Sequence, residues 1–186
     1  MKVKEQKIKL NWVDATLEYF EYEQKDKVIR WRLFKARAMT NKLLKLFWAR
    51  WANLPEWISE IAFCMVTGAV RFKEVRSWKE KVHASFDTYN LKTGKTQQIK
   101  ASSVSEDLTS FWPKSERDEL YFMDFSRLDW TFDVYFIDSE YIYWNKVNQK
   151  ESFTDQQEQK RRPRFSIVKK IIIPHKLKPI LKNVHI

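Results

Sequence analysis

Across residues 7–23 the apolar side chains Ile8, Leu10, Val13, Leu17 and Phe20 recur near helical spacing, and residues 28–47 repeat the pattern. Two amphipathic helices are predicted there. Asn53-Leu54-Pro55-Glu56 offers an N-cap, a proline suited to a first turn and an acidic group for the positive helix end, so a third helix is predicted over 55–67. It carries Glu56 and Glu60 four residues apart. Beyond Gly68 the period becomes two. Residues 83–91 and 96–102 flank Lys92-Thr93-Gly94-Lys95, a short loop that reads as a hairpin connection. Aromatic and β-branched runs at 119–125, 131–138 and 140–144 extend this to a mixed sheet of about five strands. Ser152 caps a short helix leading into 156–160, 165–173 reads as a basic strand, and 174–186 as an extended terminal segment. The predicted class is α/β in a single domain spanning 1–186. It comprises a helical region (1–50), a central core (51–150) and a basic region (151–186).

Composition sharpens this picture. The chain has 186 residues, 44% of them hydrophobic, enough apolar material for one core and too much for a disordered chain. Its longest charge-free apolar stretch, 61–70, is far short of the roughly 20 residues that cross a bilayer. No membrane span is expected. A single cysteine, Cys64, cannot close an internal disulfide, which places the protein in a reducing cytosol. The chain holds two glycines where ordinary usage would give roughly 13, and it holds nine tryptophans. Trp78, Trp112 and Trp130 lie in polar or turn-like contexts that normally use glycine. GGA and TGA differ by one base, so several tryptophans are expected to be glycines in the working protein. The intact mass of protein from its native host tests that reading.

Candidate chemistry is selective. His83, His175 and His185 lack metal-ligand spacing, and neither a GxGxxG nor a GxxxxGK[ST] run is present, even with tryptophan read as glycine. The informative stretch is 86–102. On a strand Gln98 and Lys100 point the same way while Ile99 packs inward, and the hairpin brings Asp87 beside them. A carboxylate and neighbouring oxygens can hold Mg²⁺ at a phosphodiester while an adjacent lysine orients or deprotonates water. A solvated strand with an alternating polar face is the bland reading of the same residues.

Here the sequence resembles the PD-(D/E)xK nucleases, whose acidic residue on one strand and acidic-x-Lys triplet on the next correspond to Asp87 and Gln98-Ile99-Lys100. Gln98 departs from the pattern by replacing a carboxylate with an amide. Glu60 resembles the additional acidic residue of such sites, with Glu56 as the alternate. Together with Asn53-Leu54-Pro55-Glu56-Trp57-Ile58-Ser59-Glu60 and Asp107-Leu108-Thr109-Ser110-Phe111-Trp112-Pro113, the text over about 50–170 is similar to type II restriction endonucleases, and to a branch recognising GCNGC. Reading Trp51, Trp57, Trp112 and Trp130 as glycine improves the likeness. The resemblance implies a restriction-endonuclease-like fold and Mg²⁺-dependent hydrolysis of double-stranded DNA without an organic cofactor. Asp87 and Gln98 would then be metal ligands and Lys100 and Glu60 catalytic partners. Asp107 and Asp118 read as turn or strand-edge residues.

Charge agrees with a polyanionic partner: 35 Lys+Arg stand against 24 Asp+Glu, a net +11. From Gln159 onward there is no Asp or Glu, while lysines and arginines recur. Gln156, Gln157, Gln159, Arg161, Arg162 and Arg164 are candidate DNA contacts, since arginine and glutamine pair bidentately with guanine and adenine. Basic residues at 30–45 could form the other wall of a cleft. A near-palindromic site is read economically by a homodimer, with Leu43, Leu44, Leu46 and Phe47 as interface material. The competing readings are a non-catalytic nucleic-acid-binding protein and a structural basic protein.

Overall fold

A computed structural model describes residues 2–10, 12–49, 54–77, 86–104, 107–113, 117–127 and 131–185. An eight-stranded mixed sheet forms its centre. Strands β1 (Lys2–Leu10) and β2 (Val13–Glu21) make a hairpin, followed by helices α1 (Gln24–Leu46) and α2 (Glu56–Thr67) and strand β3 (Val70–Ser77). Then come β4 (Thr88–Asn90), β5 (Lys95–Ser102), β6 (Thr109–Ser110), β7 (Glu119–Asp124) and β8 (Phe132–Ile137). Helices α3 (Ser139–Tyr143) and α4 (Phe153–Glu158), strand β9 (Arg164–Phe165), a π-helical turn (Val168–Ile172) and β10 (Leu181–Val184) complete the chain. The main sheet runs β1-β2-β3-β4-β5-β7-β8-β10, with β6 and β9 pairing separately. Strands β5 and β7 are parallel, and the other pairs in the sheet are antiparallel.

Four expectations require correction. The stretch 7–23 is a β-hairpin, not a helix, because Ile8, Ala15 and Leu17 bury one face at strand periodicity against Val75 and Phe86. The stretch 140–144 is helical because the Asp138 carboxylate accepts the Glu140 N–H at 2.9 Å and caps α3. Of the predicted basic strand 165–173 only Phe165 is extended, as the second residue of β9, and the sheet has eight strands rather than five. The second and third helices, the β4–β5 hairpin, β7, β8 and the Ser152-capped α4 lie where the pattern put them, α4 closing a capping box with Asp155.

The sheet separates two cores. On one face α2 contributes Ile58, Ala62 and Phe63, which pack with Phe34 of α1 against Ile99, Met123 and Val134. On the other, Leu120, Phe122 and Ile137 meet Phe111, Phe153 and Phe165 beneath α3 and α4. Each fully buried aromatic contributes roughly 1.5–3 kcal/mol by leaving water. Asp118 fixes the parallel pair by accepting the backbone N–H and the hydroxyl of Thr96 at 2.7 and 2.8 Å. It is a strand-edge tie, as its position suggested.

Among the described residues two tryptophans adopt the left-handed conformation: Trp12 (φ 67) in the β1–β2 connection and Trp48 (φ 54) just past the C-cap of α1. Both are 96% exposed. These are positions where short hairpin turns and helix ends favour glycine. Of the tryptophans singled out from sequence, Trp57 lies on α2 and Trp112 in a cleft described below, while Trp51, Trp78 and Trp130 lie outside the described residues. Replacing Trp12 or Trp48 by glycine is expected to stabilise the fold by about 1 kcal/mol each, since the left-handed region penalises residues with a Cβ. Thermal melting of the two single variants checks this, and unchanged or lowered midpoints would refute it.

Candidate active site

Strands β4 and β5 diverge just beyond the Thr88–Gln97 pair, and this divergence builds the site. The Asp87 N–H still donates to the Gln97 carbonyl at 2.9 Å, but opposite Ile99 there is no longer a strand. The Asp87 carboxylate takes its place and accepts the Ile99 N–H at 2.7 Å. The carboxyl is thereby fixed over β5, beside the residues on either side of Ile99. Gln98 and Lys100 pair laterally with Leu120 and Phe122 and share their face, whereas Ile99 turns into the α2 core. The sequence expectation for these three orientations holds.

Asp87, Gln98 and Lys100 line one cleft of about 780 Å³ together with Glu56 and Glu60 of α2, Phe86, Trp112, Pro113, Lys160 and Arg162. Burial pushes the Asp87 carboxyl up to about 6; the Ile99 N–H and the Lys100 ammonium oppose the rise, and the charges of Glu60 and Glu56 add to it. Burial likewise draws Lys100 below the ordinary lysine value, against the pull of Asp87, Glu56 and Glu60, while Arg117 adds to the depression. The Lys100 ammonium lies 5.6 Å from the centre of the Phe111 ring, and the Arg117 guanidinium is equally distant from it. Glu60 is bonded to the Arg71 guanidinium, which fixes its carboxylate at the cleft margin. Gln98 is 2% exposed, and among the described residues its Oε1 has no hydrogen-bond partner. A buried amide oxygen without a donor is costly, and a cation would satisfy it.

The oxygens available to a cation are thus the Asp87 carboxylate, the Gln98 amide and a glutamate of α2. Among the described residues no three His, Cys, Asp or Glu side chains gather as a cage. Mg²⁺ does not require one, because it keeps waters and uses one or two carboxylates plus substrate phosphate. The donor set fits a hard, oxygen-seeking ion.

The C-terminal candidates divide. Gln156 is buried and donates to Glu151 at 2.8 Å, and Arg161 donates to the same carboxylate at 2.7 Å and to Gln159 at 3.1 Å. These bonds, with that from Asn148, hold the Glu151 carboxyl down at about 2. Gln157 donates to the Pro113 carbonyl at 3.1 Å. Arg162 reaches the cleft and lies over the Trp112 ring at 3.4 Å, while Arg164 is exposed on β9. The basic segment therefore meets Asp87 and strand β5 at one cleft. Arg71 and Arg117 carried no sequence signal, since nothing in spacing tells a surface arginine from one placed beside a carboxylate by a strand 11 residues away.

Residues 22–174 match the family described as Bsp6I restriction endonuclease. The chain belongs to that family. Over 145 residues it is 34% identical to the type II restriction enzyme Bsp6I of Bacillus sp. (strain RFL6), an alignment covering 76% of this chain and 78% of that protein. No solved structure matches. As a member of the Bsp6I family the protein is a restriction endonuclease acting on DNA, which makes an enzyme of what charge alone left open as a passive binder. The matched range includes α1, α2, the β4–β5 hairpin and Lys160 through Arg164. Among the described residues no helix is long and apolar enough to cross a membrane.

Proposed function

We propose that the protein hydrolyses double-stranded DNA in a Mg²⁺-dependent reaction of the PD-(D/E)xK type at a short site, GCNGC being the one its resemblance implies. The observation that carries this reading is the convergence of Asp87, Gln98, Lys100 and Glu60 on one cleft, with the buried Gln98 oxygen unpartnered among the described residues. Asp87 and Gln98 would hold the ion, and Glu60, or Glu56 one turn earlier, would complete the acidic margin. Bound Mg²⁺ supplies a Lewis acid that polarises the phosphate and favours charge build-up on its oxygens. Lys100, desolvated and therefore readier than a surface lysine to give up its proton, orients the attacking water and takes part in its deprotonation. In-line attack of the water on phosphorus breaks the P–O3′ bond, leaving a 5′-phosphate end and a 3′-oxygen that takes up a proton as a hydroxyl. Gln159, Arg162 and Arg164 would contact DNA, with Gln156, Gln157 and Arg161 holding the segment in shape. Incubating plasmid with the protein with and without Mg²⁺ tests the reading: discrete fragments only with the ion are expected, and no cutting in either case would overturn it.

The active form in the cytosol is proposed to be a homodimer. Helix α1 buries only a narrow stripe around Phe34 and Asn41 and leaves Ile29, Leu33, Ala36, Thr40, Leu43 and Phe47 exposed at alternating four- and three-residue steps. That spacing is the apolar seam of a helix packed on another helix. A second copy related by a two-fold axis would cover it and present one cleft to each DNA strand. Sedimentation at micromolar concentration should give about twice the chain mass of 22.7 kDa, and Leu43→Glu should return it to a monomer.

A further inference from the structure

The end of α4 combines a backbone irregularity with a cleft-facing charge. After the C-cap Gln159, the Lys160 N–H donates to the Gln157 carbonyl at 2.8 Å and the Arg161 N–H to the Gln156 carbonyl at 2.9 Å, the double bond of a helix-ending turn that normally uses glycine. Lys160 occupies the left-handed position itself, at φ 56. Its side chain lines the same cleft as Asp87 and Lys100, on the wall where Arg162 lies over Trp112. The turn is tied down on both sides: Gln157 donates to the Pro113 carbonyl, and Arg161 and Gln156 grip Glu151. Among the described residues neither Lys160 nor Arg162 has a carboxylate partner.

We propose that Lys160, with Arg162 beside it, is a substrate-positioning phosphate clamp facing the carboxylate wall. The proposal rests on the nuclease reading for its location and adds to it the group that holds the DNA strand in register with the reacting side chains. A cleft with carboxylates on one wall and cations on the other suits a phosphodiester: its anionic oxygens turn to Lys160 and Arg162, and the scissile link faces Asp87, Gln98 and Lys100. The ammonium acts as a point charge, and the guanidinium, pinned by the indole, as a planar fork. A lysine kept in a conformation that favours glycine is the kind of local strain that marks a functional position.

The test exploits this strain. Lys160→Gly relieves the backbone and removes the charge, so the two roles move in opposite directions. If Lys160 clamps phosphate, the glycine variant melts at a higher temperature than wild type, yet its single-turnover cleavage slows at least tenfold. The slope of log K against log salt on a plain DNA duplex, measured by fluorescence anisotropy without divalent ion, falls in magnitude by about 0.9, one phosphate contact. Lys160→Arg should retain most of the slope. Full cleavage and an unchanged slope in Lys160→Gly would overturn the clamp and leave Lys160 as a turn residue only. The salt slope needs no turnover, so wild type that fails to cut DNA while Lys160→Gly still flattens the slope would discard the nuclease assignment and keep the contact.

Discussion

Lys100→Ala is expected to lower cleavage by a factor on the order of 10²–10⁴, the usual contribution of a positioned proton-transfer group, while DNA binding changes only a few-fold. Lys100 is withdrawn from water on β5 and lies against the Phe111 ring, so it is poorly placed to serve as a general phosphate anchor and well placed to act on one water. Its removal also takes from Asp87 the ammonium that opposes the rise of its carboxyl. The alanine variant should therefore need a higher pH to regain residual activity, a shift that loss of packing alone would not produce. Lys100→Met, which keeps the stem against Phe111, should be as inactive as alanine but fold better. Plasmid nicking followed over time, beside anisotropy on a duplex, separates the two effects. Retention of more than a tenth of wild-type cleavage in Lys100→Met would remove Lys100 from the chemistry.

Asp87→Asn should give a protein that is inactive and, without metal, more stable than wild type above pH 6. The carboxyl is pushed from an ordinary 3.8 up to about 6, so the folded chain holds its proton more tightly than the unfolded chain does. Wild-type stability is therefore highest below about pH 4 as far as this group is concerned and declines as the pH rises toward 6. Above that the full penalty persists, on the order of 3 kcal/mol at about 1.4 kcal/mol per pH unit. Asparagine carries no such charge and its carbonyl can still accept the Ile99 N–H. Melting curves in a chelator at pH 5 and pH 8 should show wild type losing ground relative to the variant as the pH rises. A variant less stable than wild type at pH 8 would mean that the carboxylate is compensated within the fold and is not reserved for a cation. Addition of Mg²⁺ should stabilise wild type and leave the variant unmoved.

What the sequence made legible was local. The β4–β5 hairpin, with Asp87, Gln98 and Lys100 on it, and the helix bearing Glu56 and Glu60 follow from short-range signals: alternation, a Gly94 turn, and a proline at a helix start. The opening hairpin was not legible because its apolar residues satisfy two periods at once. Its turn also lacks the usual punctuation, since Trp12 stands where glycine would announce a reversal. The aromatic run 140–144 looked like a strand until the Asp138 cap and the burial of Ile142 are seen together. The stretch after Arg164 is rich in isoleucine and valine, residues that favour strands, but Ile167 and Ile171 are fully enclosed by the second core, and tertiary packing overrides propensity there. Membership of the site followed the same rule. Asp87, Gln98 and Lys100 lie on one hairpin and could be grouped from the pattern, whereas Arg71 on β3, beside Glu60, and Arg117 ahead of β7, beside Phe111, come there through strand pairings that no local signal announces.

The two rims of the eight-stranded sheet have a bearing on solubility. Strand β1 is a nine-residue outer strand with one row of amides and carbonyls turned to solvent, the sort of border that recruits foreign strands into aggregates. It is studded with Lys2, Lys4, Lys7 and Lys9, whose like charges repel another copy approaching edge-on. At the far rim β10 is short and broken by Asn183, whose left-handed backbone interrupts the ladder between Leu181 and Val184. Both borders are unfit for strand addition, so a sheet this wide can remain discrete at high concentration without a partner sealing its sides.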